Sequence, residues 1–128
     1  MSKAIKLSEG EWKLMKLLWE ESPQTLSRLV SAMKAETGWT KGTVFMMLSR
    51  LGEKGAVRFE DNGRSKLYYP VFLQGDAAFL ETESFLSRVY GGSLSLMVAS
   101  MAGQKGLKPE EIDELYAILR EAEEKGKP

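Results

Sequence analysis

Between Trp39 and Pro70 the hydrophobic period switches once, from helical to alternating, and that switch limits what the chain can become. Thr40 to Lys54 is amphipathic at helical spacing, and Gly55 supplies a helix stop. Val57-Arg58-Phe59-Glu60 then alternates as a strand does. Asp61-Asn62-Gly63 is a turn signal that fits a type I′ hairpin. Lys66-Leu67-Tyr68-Tyr69 reads as the returning strand, with Pro70 at its fraying end.

Two more helices precede this unit. Ser8 with Glu11 three residues on forms a capping box, and Trp12, Met15 and Trp19 recur at helical spacing until Pro23. The two tryptophans are expected in the core. Thr25 is placed to cap a second helix whose buried stripe is Leu26, Leu29, Val30 and Met33, and Gly38 ends it. Three helices followed by a hairpin are the pattern of a winged helix-turn-helix, expected over residues 1–74. The predicted fold class is mainly α with a small β-hairpin (α+β).

Residues 75–128 have a different character. Asp76 to Tyr90 reads as a helix carrying Phe79, Phe85, Leu86 and Val89, and Gly91-Gly92 breaks it. Leu94 to Met101, which includes Met97, is a nearly all-apolar helix that must be buried against something. Gly103 to Gly106 reads as a loop, and Pro109 opens a last helix with acidic residues in its first turn. Ile112, Leu115, Tyr116 and Leu119 form its stripe. So short a tail cannot bury these faces alone. A second copy of the chain is the economical partner, making residues 75–128 a helical dimerisation domain.

The net charge of zero hides an asymmetry. Residues 1–75 carry twelve Lys/Arg against eight Asp/Glu, and residues 76–128 carry six against ten. A basic first half suits a polyanion, and an acidic second half would be repelled from one. On the third helix, Val44, Met47, Leu48 and Leu51 fall on one face, and Gly42, Met46, Ser49 and Glu53 on the opposite one. Thr43 and Arg50 lie on one flank of that outer face and Phe45 on the other. Lys41, Thr43 and Arg50 suit phosphates or base edges, while Phe45 and Met46 cannot hydrogen-bond a base but can touch a thymine methyl. Arg64 and Lys66 form a second basic element at the hairpin tip.

Other chemistry finds little support. The chain has no cysteine and no histidine, so a disulfide framework, a thiolate metal site and the commonest general base are excluded. There is no phosphate-binding glycine loop and no nucleophile elbow. The carboxylates of Glu110–Glu114 and Glu121–Glu124 sit at a helix start and an exposed helix end. No enzyme activity, metal or cofactor is expected. The first residues lack a signal peptide's apolar core, and no apolar run reaches ~18 residues, so a cytoplasmic chain without direct membrane binding is expected. An alternative is a winged-helix protein-interaction module without DNA binding, in which Phe45 and Met46 form an apolar contact patch.

From about Leu7 to Leu119 the chain resembles the penicillinase-repressor family, the BlaI/MecI/CopY type of bacterial transcriptional repressor. The marks are Leu7-Ser8 with Glu11-Trp12, Met15 and Trp19; Trp39-Thr40 with Thr43-Val44; Ser49-Arg50-Leu51 with Lys54-Gly55; Tyr68-Tyr69; Phe85 with Val89-Tyr90-Gly91-Gly92; and Leu107 with Glu111-Ile112 and Leu115. The resemblance implies a homodimer that binds a palindromic double-stranded DNA operator and represses the genes behind it. It puts Thr40, Lys41, Thr43 and Arg50 on or beside the recognition helix, and Arg64 and Lys66 on the basic wing. It also implies a membrane sensor system acting indirectly, because many members are released through a sensor-protease that leads to their cleavage. Three features depart from the family. Gly42, Phe45 and Met46 stand where polar or basic residues are common, so the operator sequence does not carry over. The cysteine cluster of copper-responsive relatives is missing. The scissile Asn-Phe pair would fall near Ala99-Ser100, which does not match.

Overall fold

The computed structural model describes residues 6–126. The elements are α1 (Glu9–Glu20), β1 (Gln24–Thr25), α2 (Leu26–Thr37), α3 (Lys41–Glu53), β2 (Val57–Asp61), β3 (Lys66–Pro70), α4 (Gln74–Tyr90), α5 (Leu94–Gln104) and α6 (Pro109–Lys125). They separate into two compact units, Met1–Ser84 and Phe85–Pro128, with the division inside α4.

Helix starts in the first unit follow their caps. The Ser8 hydroxyl accepts from Glu11 N–H at 3.2 Å while Glu11 Oε1 accepts from Ser8 N–H at 2.7 Å, which closes the capping box of α1. The Thr25 and Thr40 hydroxyls cap α2 and α3 by accepting from Arg28 N–H and Thr43 N–H. Gly38 and Gly55 leave α2 and α3 with positive φ, a conformation that costs any residue with a Cβ.

These helices enclose one core. Leu14, Met15, Leu18, Leu29, Met33, Val44 and Leu51 are fully buried, joined by Leu48, Ala56, Val57 and Tyr68. Trp12 and Trp19 pack against it with ring centroids 5.7 Å apart, and Trp19 Nε1 donates to Phe72 O at 2.8 Å, pinning the chain after the hairpin to α1. Gly10 is small for a packing reason. A Cβ there would sit 2.7 Å from both Met47 Cε and Trp39 Cη2, so its absence lets α1 approach α3 closely.

The sheet differs from the sequence expectation in two ways. The sheet has three antiparallel strands in the order β1-β3-β2, with Gln24 opposite Tyr68 and Thr25 opposite Leu67. The hairpin is not a type I′ turn. Asp61 pairs with Lys66, so four residues, Asn62 to Ser65, make the connection. A type I′ turn needs positive φ at both central residues, and among the described residues only glycines have it. Asn62 instead uses its side chain, Oδ1 accepting from the N–H groups of Arg64 and Ser65 at 3.3 and 3.1 Å.

In the second unit α5 runs on to Gln104, past the expected loop start at Gly103. Neither α5 nor α6 has a buried residue within the single chain. Leu94, Met101, Ile112, Leu115, Tyr116 and Leu119 are all exposed, as are Phe85 and Val89 of α4, while Leu86 and Met97 are half-buried. No helix of the described residues is long and apolar enough to cross a membrane.

Candidate nucleic-acid interface

A three-residue link, Gly38 to Thr40, joins α2 to α3, the geometry of a helix-turn-helix. With Val44, Leu48 and Leu51 buried, α3 must present Gly42, Met46, Ser49 and Glu53 outward, and these are exposed. Met46 is 60% exposed and Phe45 46%. Thr40 is the N-cap of α3 and Lys41 its first residue. Thr43 is half-buried one turn in, its hydroxyl 3.2 Å from that of Thr40, and Arg50 is exposed in the last turn.

The fold brings some of these residues together. Lys41 and Phe45 of α3 face Lys66 and Tyr68 of β3 across a groove of about 450 Å³, floored by Leu26 and Val30 of α2. On the other side of Phe45 a second groove of about 390 Å³ runs between α3 and the hairpin, past Ser49, Gly52 and Phe59. Arg50 and Arg64 line neither. Arg50 lies towards the far end of α3, and Arg64 sits exposed in the hairpin turn. Ser27 and Ser31 of α2 do line the first groove. Two serines four residues apart on a solvent face are too ordinary to mark a site from sequence.

The electrostatics of the hairpin differ between its faces. On one, Arg58 pairs with Glu60 at 3.0 Å and stacks 4.0 Å from the Tyr69 ring centroid, and Tyr69 OH donates to Glu60 at 3.2 Å. Partial burial and the neighbouring Glu60 carboxylate push the Tyr69 phenol upward, so it stays protonated. Arg58 is thus committed within the hairpin. On the other face the Lys66 ammonium lies over the Phe59 ring, Nζ 4.4 Å from its centroid, and Lys66 borders both grooves. Lys41 has no ion-pair partner among the described residues.

A helix-turn-helix with an exposed second helix, flanked by a lysine-bearing hairpin, defines a winged-helix domain in an α+β fold. The family model of the penicillinase repressors matches residues 7–121, and the chain belongs to that family. It is 34% identical over 121 residues to the penicillinase repressor of Bacillus licheniformis, covering 94% of each chain. It is 23% identical to that of Staphylococcus aureus, over 97% of this chain and 98% of the relative. Among solved structures it resembles the Bacillus licheniformis BlaI monomeric form in complex with the blaP half-operator. That match has 29% identity and a TM-score of 0.52, and covers 59% of this chain and 93% of the other.

Proposed function

We propose that the chain is a DNA-binding transcriptional repressor that works as a homodimer on a two-fold symmetric operator in the cytoplasm. One observation carries the DNA reading: Lys41 of α3 and Lys66 of the hairpin converge on one groove beside an outward-facing helix. A duplex seated on that helix meets cations from both elements, and its phosphates are the matching polyanion. That the BlaI relative is solved in complex with a half-operator supports duplex DNA as the polyanion.

In this reading residues 1–74 hold DNA, through Thr40, Lys41, Thr43, Met46, Arg50, Arg64 and Lys66, and residues 75–128 dimerise. The apolar side chains left exposed on α5 and α6 support the second part. Helices of 11 and 17 residues offer lengths of roughly 16 and 25 Å for a self-complementary interface. The protein acts by occupying DNA rather than by turnover, and a membrane sensor would reach it only indirectly. Sedimentation of the full chain with and without duplex tests the proposal. A dimer at micromolar concentration that binds duplex as a dimer supports it; a monomer that ignores DNA at low salt contradicts it.

A further inference from the structure

The N-terminal half of α3 offers base edges few hydrogen-bonding groups. The Thr40 hydroxyl already accepts from Thr43 N–H and shares a hydrogen bond with the Thr43 hydroxyl, both at 3.2 Å. Gly42 has no side chain and Val44 is buried. What projects is Lys41 and two apolar side chains. Phe45 is turned towards the hairpin, bordering both grooves, whereas Met46 lines neither and stands on the outer face at 60% exposure. In the major groove the one apolar group on a base edge is the 5-methyl of thymine. An unbranched, polarizable methionine can lie against such a methyl without demanding one rigid geometry.

We infer that this chain reads its operator by apolar contact, with Met46 seated on a thymine 5-methyl group. Lys41, Arg50, Arg64 and Lys66 then supply phosphate contacts that carry no sequence information. The inference rests on the DNA-binding reading and adds which chemical group is recognised. Deoxyuridine is the discriminating probe, because it pairs as thymidine does and lacks only the methyl. Burying one methyl is worth roughly a fourfold change in affinity.

The test uses the full-length chain and a duplex it enriches from a random pool. That duplex is synthesised with thymidine and, one position per half-site at a time, with deoxyuridine. Binding is followed by fluorescence anisotropy. At the contacted position deoxyuridine should weaken binding roughly fourfold per substituted half-site. In Met46→Ala, whose exposed position leaves the fold intact, the two duplexes should bind alike. Met46→Gln, which restores hydrogen-bonding capacity, should enrich a different base there. Equal binding of both duplexes at every position, with salt-sensitive binding retained, would overturn this inference and leave the DNA reading standing. Failure to enrich or bind any duplex at low salt would overturn both.

Discussion

Lys54 Nζ, at the C-cap of α3, donates to Glu11 Oε1 at 2.5 Å, and the Glu11 side chain is completely buried in the first turn of α1. The same oxygen accepts from Ser8 N–H, and the ammonium also reaches Lys6 O at 2.7 Å. One ion pair across 43 residues therefore ties the end of α3 to the start of α1. Lys54→Met leaves a buried carboxylate without its cation. Removing one partner of a fully buried pair costs roughly 3–5 kcal/mol, and the partial exposure of Lys54 lowers the expected loss to about 2 kcal/mol. Urea denaturation should show the midpoint fall, and adding Glu11→Gln should recover part of it.

The pair also predicts a pH dependence. Burial pulls the Glu11 carboxyl upward, and its Oε2 has no protein partner among the described residues. The hydrogen bonds from Lys54 and Ser8, with the Lys54 charge, outweigh burial and hold the group below the ordinary carboxylate value. A carboxyl depressed by folding stabilises the native state above its unfolded pKa and loses that contribution as pH falls through the folded one. Stability followed from neutral pH into acid should therefore decline below the ordinary carboxylate range. In Glu11→Gln that part of the profile should flatten.

Gly42 separates fold from function. A Cβ there would meet nothing closer than Thr40 Oγ1 at 3.8 Å, so the free protein has room for a side chain. Gly42→Ala should raise thermal stability, by about 0.5–1 kcal/mol for a helical position. If the α3 backbone approaches DNA closely at this point, the same variant should bind duplex more weakly. Parallel melting and binding measurements check the opposed signs, and unchanged binding would remove Gly42 from the DNA-facing surface.

Much of the fold was legible because local chemistry and global packing agree. Ser8, Thr25 and Thr40 cap the helices they were expected to cap, and the Val44–Met47–Leu48–Leu51 face of α3 packs into the core. What was missed depends on partners distant in sequence. β1 is two residues long, too short for a period, and exists only because β3 passes beside it. The close approach of Gly10 to Trp39 and Met47 and the Lys54–Glu11 pair have no local signal. At the hairpin, Asn-Gly suggested a left-handed Asn, but the Asn62 amide oxygen found backbone donors and made a wider turn cheaper. For the site, the outward face was readable from periodicity. The meeting of Lys41 with Lys66 was not, because it depends on how the hairpin folds back over α2 and α3.

The wing cations should act through phosphates. Arg64→Ala and Lys66→Ala should each weaken duplex binding about equally on all sequences. Each should also make the plot of log affinity against log salt shallower, by about 0.9 in slope for every phosphate no longer neutralised. A Lys66→Ala variant that weakened one sequence far more than others would make Lys66 a base reader instead.

The stripe on α6 should hold two copies together. Leu115→Glu with Leu119→Glu places charge among exposed apolar side chains, which water tolerates in a monomer and an apolar interface does not. Analytical ultracentrifugation should show a dimer become a monomer, and operator affinity should fall with it. A dimer that survives both substitutions would move the interface away from this stripe.

In the proposed function the chain occupies a two-fold DNA site as a dimer. A footprint of the purified full chain on the DNA just upstream of its own gene tests it most directly. Two protected half-sites related by a two-fold axis, with protection fading progressively as salt is raised, are the expected result. No protection at low salt would contradict the account and favour a module in which Phe45 and Met46 meet another protein.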